Sequence, residues 1–299
     1  MKRKFIFLVN PISGTRSKTK LVNLITDRTR AIQIPFEIID TSKDGDYSFL
    51  VQKIGTESIT DVIVCGGDGT INQVAAALLN ISVNIGVIPM GSGNGLALAA
   101  GISTHPSKAL DIIFKGNAAA VDGFYVNKHF GCMLTGVGFD AQVAHDFATQ
   151  STRGLWTYIK QSLRLFFRYK TYPFVIEING EKISTEAFFI SIANSNQFGN
   201  HVTIAPKASL HDGLLDVIVV NKKNKYFTAL SLLGHIKLGK VQQPIVQKGH
   251  TAAIDYWQTT NIKIENPSLA PLHIDGEPAV TDRTIEVNII PAAIRLLQP

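Results

Sequence analysis

The run Val62-Ile63-Val64-Cys65, closed by Gly66-Gly67-Asp68-Gly69-Thr70, constrains this chain more than any other stretch. A β-branched apolar run reads as a buried strand, and the three glycines at its end let the backbone turn sharply and lie close to a ligand. The helical pattern that starts near Ile71 would aim its free N–H groups at whatever occupies the turn, which favours an anion. Asp68 in that cradle repels an anion unless it holds a metal, accepts a proton or orders a donor. The stretch predicts a phosphate site with chemistry attached.

The same device recurs as far as Val121-Asp122. Strand patterns at Lys4–Asn10, Phe36–Thr41, Asp61–Gly66 and Asn84–Pro89 alternate with helical ones near Ser17–Arg28, Tyr47–Gly55, Ile71–Leu79, Gly95–Ala100 and Pro106–Phe114. That alternation predicts a mostly parallel sheet with helices on its faces, which binds ligands at the carboxyl ends of its strands. Here those ends carry Asn10-Pro11-Ile12-Ser13-Gly14, Thr41-Ser42, Gly66–Thr70 and Pro89-Met90-Gly91-Ser92-Gly93-Asn94.

Beyond Asp122 short alternating segments follow: Phe124–Asn127, Phe174–Asn179, Ala187–Ala193, Leu215–Val220, Asn261–Glu265 and Thr284–Ile290. Turns such as Asn179-Gly180, Asp212-Gly213 and Asp275-Gly276 separate several of them. They predict an antiparallel sandwich or open barrel, interrupted by helices near Trp156–Arg168 and Tyr226–Leu238. The expected fold class is α/β plus all-β. A Rossmann-like α/β nucleotide domain spans 1–122 and an antiparallel β-sandwich domain spans 123–299. A cleft is expected between them, with the last ~15 residues packing back on the first domain.

The 299 residues are 45% hydrophobic and 17% charged, which is ample for real cores. Lys and Arg number 29 against 23 Asp and Glu, a net charge of +6, and that balance suits anionic partners. No basic run with interleaved aromatics argues for nucleic acid, so no nucleic-acid partner is expected. Cys65 and Cys132 form no disulfide or zinc framework, and the eight scattered histidines have no zinc-ligand spacing. Met1–Lys4 followed by Phe5–Val9 superficially resembles a signal peptide. The apolar run is short, lacks a small-residue cleavage site and ends at Asn10-Pro11, so it reads as a first strand. No stretch approaches the ~18 apolar residues of a membrane span, and a cytoplasmic protein is expected.

Three elements read together make a family resemblance specific: Asn10-Pro-Ile-Ser-Gly14, Gly66-Gly-Asp-Gly-Thr70 and Gly91-Ser-Gly-Asn94, in this order at strand ends. They resemble the nucleotide-binding signatures of the diacylglycerol kinase/sphingosine kinase catalytic family, in its soluble bacterial lipid-kinase branch. The resemblance extends through Gly136-Val-Gly-Phe-Asp140, Asp212-Gly-Leu-Leu-Asp216 and Asp275-Gly-Glu277. NAD kinases share Gly-Gly-Asp-Gly-Thr, whereas the other two elements favour the lipid side.

The resemblance implies ATP and Mg²⁺ as cofactors. It places ATP against Asn10, Pro11, Ser13, Gly14, Thr41, Gly66, Gly67, Asp68, Gly69, Thr70, Asn72, Ser92 and Asn94. Physically, backbone amides of glycine loops can surround phosphates without side-chain obstruction, and phosphoryl transfer needs mainly positioning and charge neutralisation. Arg16 and Lys18 read either as phosphate neutralisers or as solvated residues at a helix start. Asp68 either orients Mg-ATP or a metal-bound water, or only stabilises a helix N-terminus. By the same resemblance Glu277 is the general base that takes the proton from a lipid hydroxyl, which requires a carboxylate within hydrogen-bond reach of that oxygen. The alternative for it is a hairpin turn with two solvated acids, and Asp275 reads as holding that turn. The resemblance implies a structural magnesium at Asp212, the Leu214 carbonyl and Ser209, since the oxygens of the Asp212–Asp216 turn suit a hard cation; the alternative is a turn with exposed acids. Phe139 and Asp140 either line the cleft or form a plain strand-to-helix turn.

Between Asp146 and Glu177 there is no acid, while Arg153, Lys160, Arg164, Arg168 and Lys170 lie among Trp156, Ile159, Leu163, Phe166 and Phe167. A helix with those faces either docks on anionic lipid or packs its apolar stripe on the sheet. The partners expected are a lipid substrate met by transient peripheral contact at a membrane surface, and a homodimer as in many relatives. No heptad or apolar seam in the chain argues for the dimer. Two positions depart from the pattern: Gln73 stands where most relatives have Glu, and Gly95 where the diacylglycerol-directed branch has Asp. The acceptor therefore stays open among diacylglycerol, another glycerolipid and a sphingoid base. An NAD kinase and a non-catalytic nucleotide or lipid sensor remain as alternatives.

Overall fold

Two strands with every residue buried, β1 (Phe5–Val9) and β3 (Asp61–Gly66), form the centre of the first structural unit. Strands that are apolar on both faces can be covered only by helices on both sides, which is the environment of a parallel sheet. The computed structural model describes residues 3–14, 17–148, 170–197, 205–222 and 254–299. It divides into two units, Met1–Asp122 with Pro291–Pro299, and Gly123–Ile290.

In the first unit α1 (Lys18–Ala31), β2 (Phe36–Asp40), α2 (Ser48–Glu57), α3 (Asp68–Ala77), β4 (Asn84–Pro89), α4 (Gly95–Ala99) and α5 (Pro106–Lys115) alternate around those strands. The four strands are parallel in the order β2-β1-β3-β4. Arg295 and Leu296, near the end of the chain, extend the same sheet beside Asn84 and Ile85. At the amino ends of the strands the fully buried Asp61 is held by Arg3 at 2.7 Å, Thr60 at 2.6 Å and Asn84 at 3.1 Å. Arg3 also donates to the Ile113 carbonyl at 2.8 Å, which fixes the last turn of α5 to the sheet. Local rules set the helix ends: Ser17 caps α1 by accepting from the Lys20 N–H, Pro106 occupies the first position of α5, and Gly116 at φ +76° ends it.

One boundary differs from expectation in a way that bears on the site. Helix α3 opens at Asp68 rather than near Ile71, because extended Gly67 serves as its cap and its carbonyl accepts the Ile71 N–H at 3.1 Å. Gly69 and Thr70 thus lie in the first helical turn.

The chain leaves the first unit within β5 (Ala118–Val126). The second unit continues with β6 (His129–Gly131), β7 (Leu134–Gly138), α6 (Phe139–Ala148), β8 (Tyr172–Ile178) and β9 (Glu181–Ala193). It is completed by β10 (Leu215–Asn221), β11 (Ile254–Thr259), β12 (Asn261–Glu265), β13 (Leu272–Ile274), β14 (Glu277–Ala279) and the first part of β15 (Thr284–Leu297). Its pairings are antiparallel. Strand β9 changes partner along its length, meeting β8 over Glu181–Ala187 and β7 over Phe189–Ala193, while β10 takes its other edge. Alternate residues point inward and build one core, among them Phe174, Ile176 and Ile178, Leu215, Val217 and Val219, and Ile285 and Val287.

Three strands run longer than the sequence suggests. Strand β5 begins at Ala118, in an alanine run that shows no alternation, β9 begins at Glu181, where outward polar residues hide the alternation, and β15 runs to Leu297 through Pro291. The expected helices at Trp156–Arg168 and Tyr226–Leu238 lie outside the described residues, as does Arg16. Among the described residues no helix is long and apolar enough to cross a membrane.

Candidate functional site

In the order β2-β1-β3-β4 the connections leave β1 toward opposite sides, so the crevice outside the carboxyl ends of β1 and β3 is open for a ligand. Asn10 follows β1 and Gly66 ends β3, and the two tips are joined directly. The Asn10 N–H donates to the Cys65 carbonyl at 3.0 Å, and the Asn10 amide donates to the Thr70 hydroxyl at 2.9 Å. Asn10 Oδ1 accepts from the Ile12 N–H at 3.0 Å, turning the chain at Pro11, and the Ser13 hydroxyl donates to the Asn10 carbonyl at 3.2 Å. Thr41 lies at the next strand end, donating its N–H to the Val9 carbonyl at 3.1 Å.

Glycine is required where these loops touch. Gly14 sits at φ +60°, and a Cβ there would collide with the Met90 carbonyl. A Cβ on Gly91 would fall 2.7 Å from the Cα of Gly67. The first, third and fourth tips therefore pack backbone to backbone, which leaves their amides unobstructed by side chains. Asn94, at φ +54°, is turned back on its own loop: its Oδ1 accepts the Gly91 N–H at 2.8 Å and its amide donates to the Gly91 carbonyl at 2.9 Å. It shapes the loop rather than pointing out of it. Ser92 is exposed at the tip, and Asn72 is half-buried on α3.

Asp68 occupies the first turn of α3, where a carboxylate is favoured by the helix dipole, and its Oδ1 lies 3.4 Å from the Leu96 N–H that it accepts. It thereby links the second glycine motif to helix α4 of the third. Lys18 donates to the Ser13 carbonyl, bringing one positive charge to the first loop, and burial pushes its ammonium below the usual lysine range. Burial pushes the Cys65 thiol up, so it stays protonated and inert beneath the rim.

In the second unit Glu277 opens β14, exposed, directly after a two-residue turn between β13 and β14. Asp275 at φ +49° and Gly276 at φ +84° give the turn the twist that suits a tight hairpin. The Asp275 carboxylate accepts the N–H groups of Cys132, Met133 and Leu134 at 2.9, 2.8 and 2.9 Å. Its task is to hold the turn, as the sequence suggested. Phe139 and Asp140 are both buried at the start of α6.

Around the expected metal turn, Asp212 Oδ1 accepts the Leu214 N–H at 3.1 Å, and Ser209 Oγ accepts the His211 N–H at 3.3 Å. Nearby Asp216 is fully buried; its Oδ1 accepts from Gln258 at 3.3 Å, and its Oδ2 has no hydrogen-bond partner among the described residues. Burial, reinforced by the charge of Asp212, raises the Asp216 carboxyl to about 7. A buried carboxylate oxygen without a donor, next to a second carboxylate, fits a hard cation. Among the described residues no three His, Cys, Asp or Glu side chains come together, so any cage here would draw on carbonyl and hydroxyl oxygens as well. Asp216 closes the Asp212-Gly-Leu-Leu-Asp216 stretch that the sequence marks, and it stands in strand β10, apolar from there to Val220.

Residues 4–126 match the family described as the diacylglycerol kinase catalytic domain, and residues 134–298 the YegS C-terminal NAD kinase beta sandwich-like domain. A probable lipid kinase YegS of Escherichia coli O6:K15:H31 is 30% identical over 269 residues, covering 87% of this chain and 85% of that protein. A probable lipid kinase YegS-like of Xanthomonas euvesicatoria pv. vesicatoria is 28% identical over 288 residues, 92% and 89% of the two chains. The crystal structure of a putative diacylglycerol kinase from Bacillus anthracis str. Sterne shares the fold, with a TM-score of 0.78 and 20% identity over 99% of this chain and 97% of that one.

Proposed function

The chain belongs to the YegS-like bacterial lipid kinases, which carry a diacylglycerol kinase catalytic domain, and from that premise we propose that it transfers the γ-phosphate of ATP to a hydroxyl of a membrane lipid. The observation that carries the reading is the meeting of Asn10, Thr70, Gly14, Met90, Gly67 and Gly91 at the carboxyl ends of β1 and β3. Backbone amides there bind the ATP phosphates, and Lys18 adds a positive charge beside them. Asp68, anchored on Leu96, orders the phosphate region. Glu277 accepts the proton of the attacking lipid hydroxyl as the new P–O bond forms, and the bond from the γ-phosphorus to ADP breaks. Asp212, Asp216, the Leu214 carbonyl and Ser209 hold a structural Mg²⁺, which when bound neutralises the acidic pair. The acceptor is diacylglycerol, another glycerolipid or a sphingoid base, reached from the cytoplasm by transient contact with the membrane surface.

Radiolabelled ATP offered with lipid extracted from the host membrane tests the proposal. Label should enter one lipid class with the wild type, and Glu277→Ala should lower its incorporation by about 10²- to 10⁴-fold, the range of a lost general base. Asp68→Ala should fall as well. Equal labelling by all three proteins removes both residues from the mechanism, and NADP formation in place of lipid labelling removes the lipid acceptor.

A further inference from the structure

We infer that His273 is a positioning residue that holds the turn presenting Glu277, acting through one fixed tautomer of its ring. The inference rests on the reading of Glu277 as the base. His273 lies in the middle of β13, between Gly136 of β7 and Pro278 of β14, and is fully buried. Its Nδ1 accepts the N–H of Gly276 at 3.2 Å. An N–H donor at Nδ1 requires a lone pair there, so the neutral ring carries its proton on Nε2. That nitrogen faces Asp140 Oδ2 at 3.3 Å. Asp140 is an acid on the first turn of α6, and its Oδ2 makes a close charge contact with Nε2 rather than a hydrogen bond; that negative charge favours the proton on Nε2 and leaves Nδ1 to accept from Gly276.

The surroundings of the ring are built for this contact. A Cβ on Gly136 would collide with Asp140 Oδ2 and come within 2.7 Å of His273 Nε2, so only glycine leaves room for the pair. Thr135 donates to the His273 carbonyl at 2.6 Å, which fixes the backbone from which the ring projects. On the other side of the turn Asp275 is clamped by three N–H groups. Its clamp sets one residue of the two-residue turn, and His273 sets the other. Gly276, at φ +84° and without a side chain, is otherwise the softest point of the hairpin, one peptide away from Glu277. A carboxylate that must meet an acceptor oxygen within a few tenths of an ångström cannot tolerate slack there, since a misplacement of about 1 Å costs about 100-fold in rate.

Asparagine and glutamine divide the two functions of the ring. Asparagine at 273 places a carbonyl oxygen where Nδ1 stood and so keeps an acceptor for Gly276, whereas glutamine keeps a donor for Asp140 and loses that acceptor. Steady-state kinetics on the full chain should show kcat reduced about 10- to 100-fold in His273→Gln and His273→Ala, with KM for ATP within about twofold of wild type. His273→Asn should recover most of kcat. Selective ¹⁵N labelling of histidine, read by long-range ¹H–¹⁵N correlation, should find the Nε2–H tautomer at His273 in the wild type and a mixture in Asp140→Ala. Full activity in His273→Gln, or a protonated Nδ1 in the wild type, overturns the inference. Glu277→Ala, run in parallel, separates the two failures. If it retains activity the reading of the base is wrong, and if it is inactive while every His273 variant is active only the inference falls. Should His273→Ala not fold, the Asn/Gln comparison and the wild-type spectrum still decide.

Discussion

Replacing Asp216 by asparagine should stabilise the metal-free protein above neutral pH. The Asp216 carboxyl, buried beside Asp212, is held at about 7 against an ordinary 3.8. A folded-state pKa above the unfolded one means that the native chain keeps this proton longer than the unfolded chain does. The stability associated with the site is therefore fully present below the unfolded value, falls as pH rises, and levels off once the folded chain also ionises near 7. At 1.36 kcal/mol per pK unit the whole fall is about 4 kcal/mol, and relaxation and water reaching the carboxylate bring the working figure to ~2 kcal/mol. Asparagine cannot ionise and still offers Gln258 an acceptor, so its own contribution is a constant offset. Urea unfolding of both proteins in chelator, from about pH 4.5 to about pH 8.5, reads the difference directly. It should move toward the variant by ~2 kcal/mol as pH rises to neutrality and then flatten. Excess Mg²⁺ at the alkaline end should favour the wild type, whose ionised pair can bind it. A difference that stays constant across the whole pH range would refute the burial argument. If Mg²⁺ moves neither midpoint, the metal reading of the turn fails while the proton reading stands.

Four further substitutions at three positions probe the loops. Gly14→Ala forces a side chain onto a backbone at φ +60° and into the Met90 carbonyl; it should cost about 2–4 kcal/mol in denaturant unfolding and weaken ATP-analogue binding at least about tenfold by calorimetry. Asn94→Ala loses both bonds to Gly91 and the residue type that tolerates φ +54°, so it should destabilise by about 2–3 kcal/mol. Asn94→Gly, which relieves the backbone but not the bonds, should cost about 1 kcal/mol less. Asp275→Asn keeps a residue suited to the turn but cannot accept from three N–H groups as a carboxylate does. A loss of about 2–4 kcal/mol in urea unfolding is expected, together with a fall in kcat, since Glu277 follows the turn that Asp275 holds.

The first unit was legible because buried parallel strands are nearly unbroken apolar runs, and Asp61–Gly66 and Asn84–Pro89 appear in the structure with the bounds read from the sequence. The second was less so. Strands of three residues such as β13 and β14 are too short for a period to show, and the outward face of β9 is polar enough to mask its first half. The phosphate-type loops announce themselves because each is local. The support of Glu277 does not, because the Asp140–His273 contact spans 133 positions, and Leu-His-Ile in an apolar setting reads as ordinary core. Gln73 is the most instructive residue of this kind. In the sequence it marks a lost charge beside the central glycine motif. In the structure its side chain lies against Gly45, where a Cβ would come within 3.1 Å of the amide, and Gly45 is flanked by Asp44 and Asp46. A glutamate at 73 would add a third negative charge to that stretch of chain, whereas the amide brings none and still offers both donor and acceptor. The departure that the family resemblance implies at Gln73 is thus read most directly as an adjustment to the loop after Thr41, and only through that loop as a change to the rim of the proposed nucleotide site.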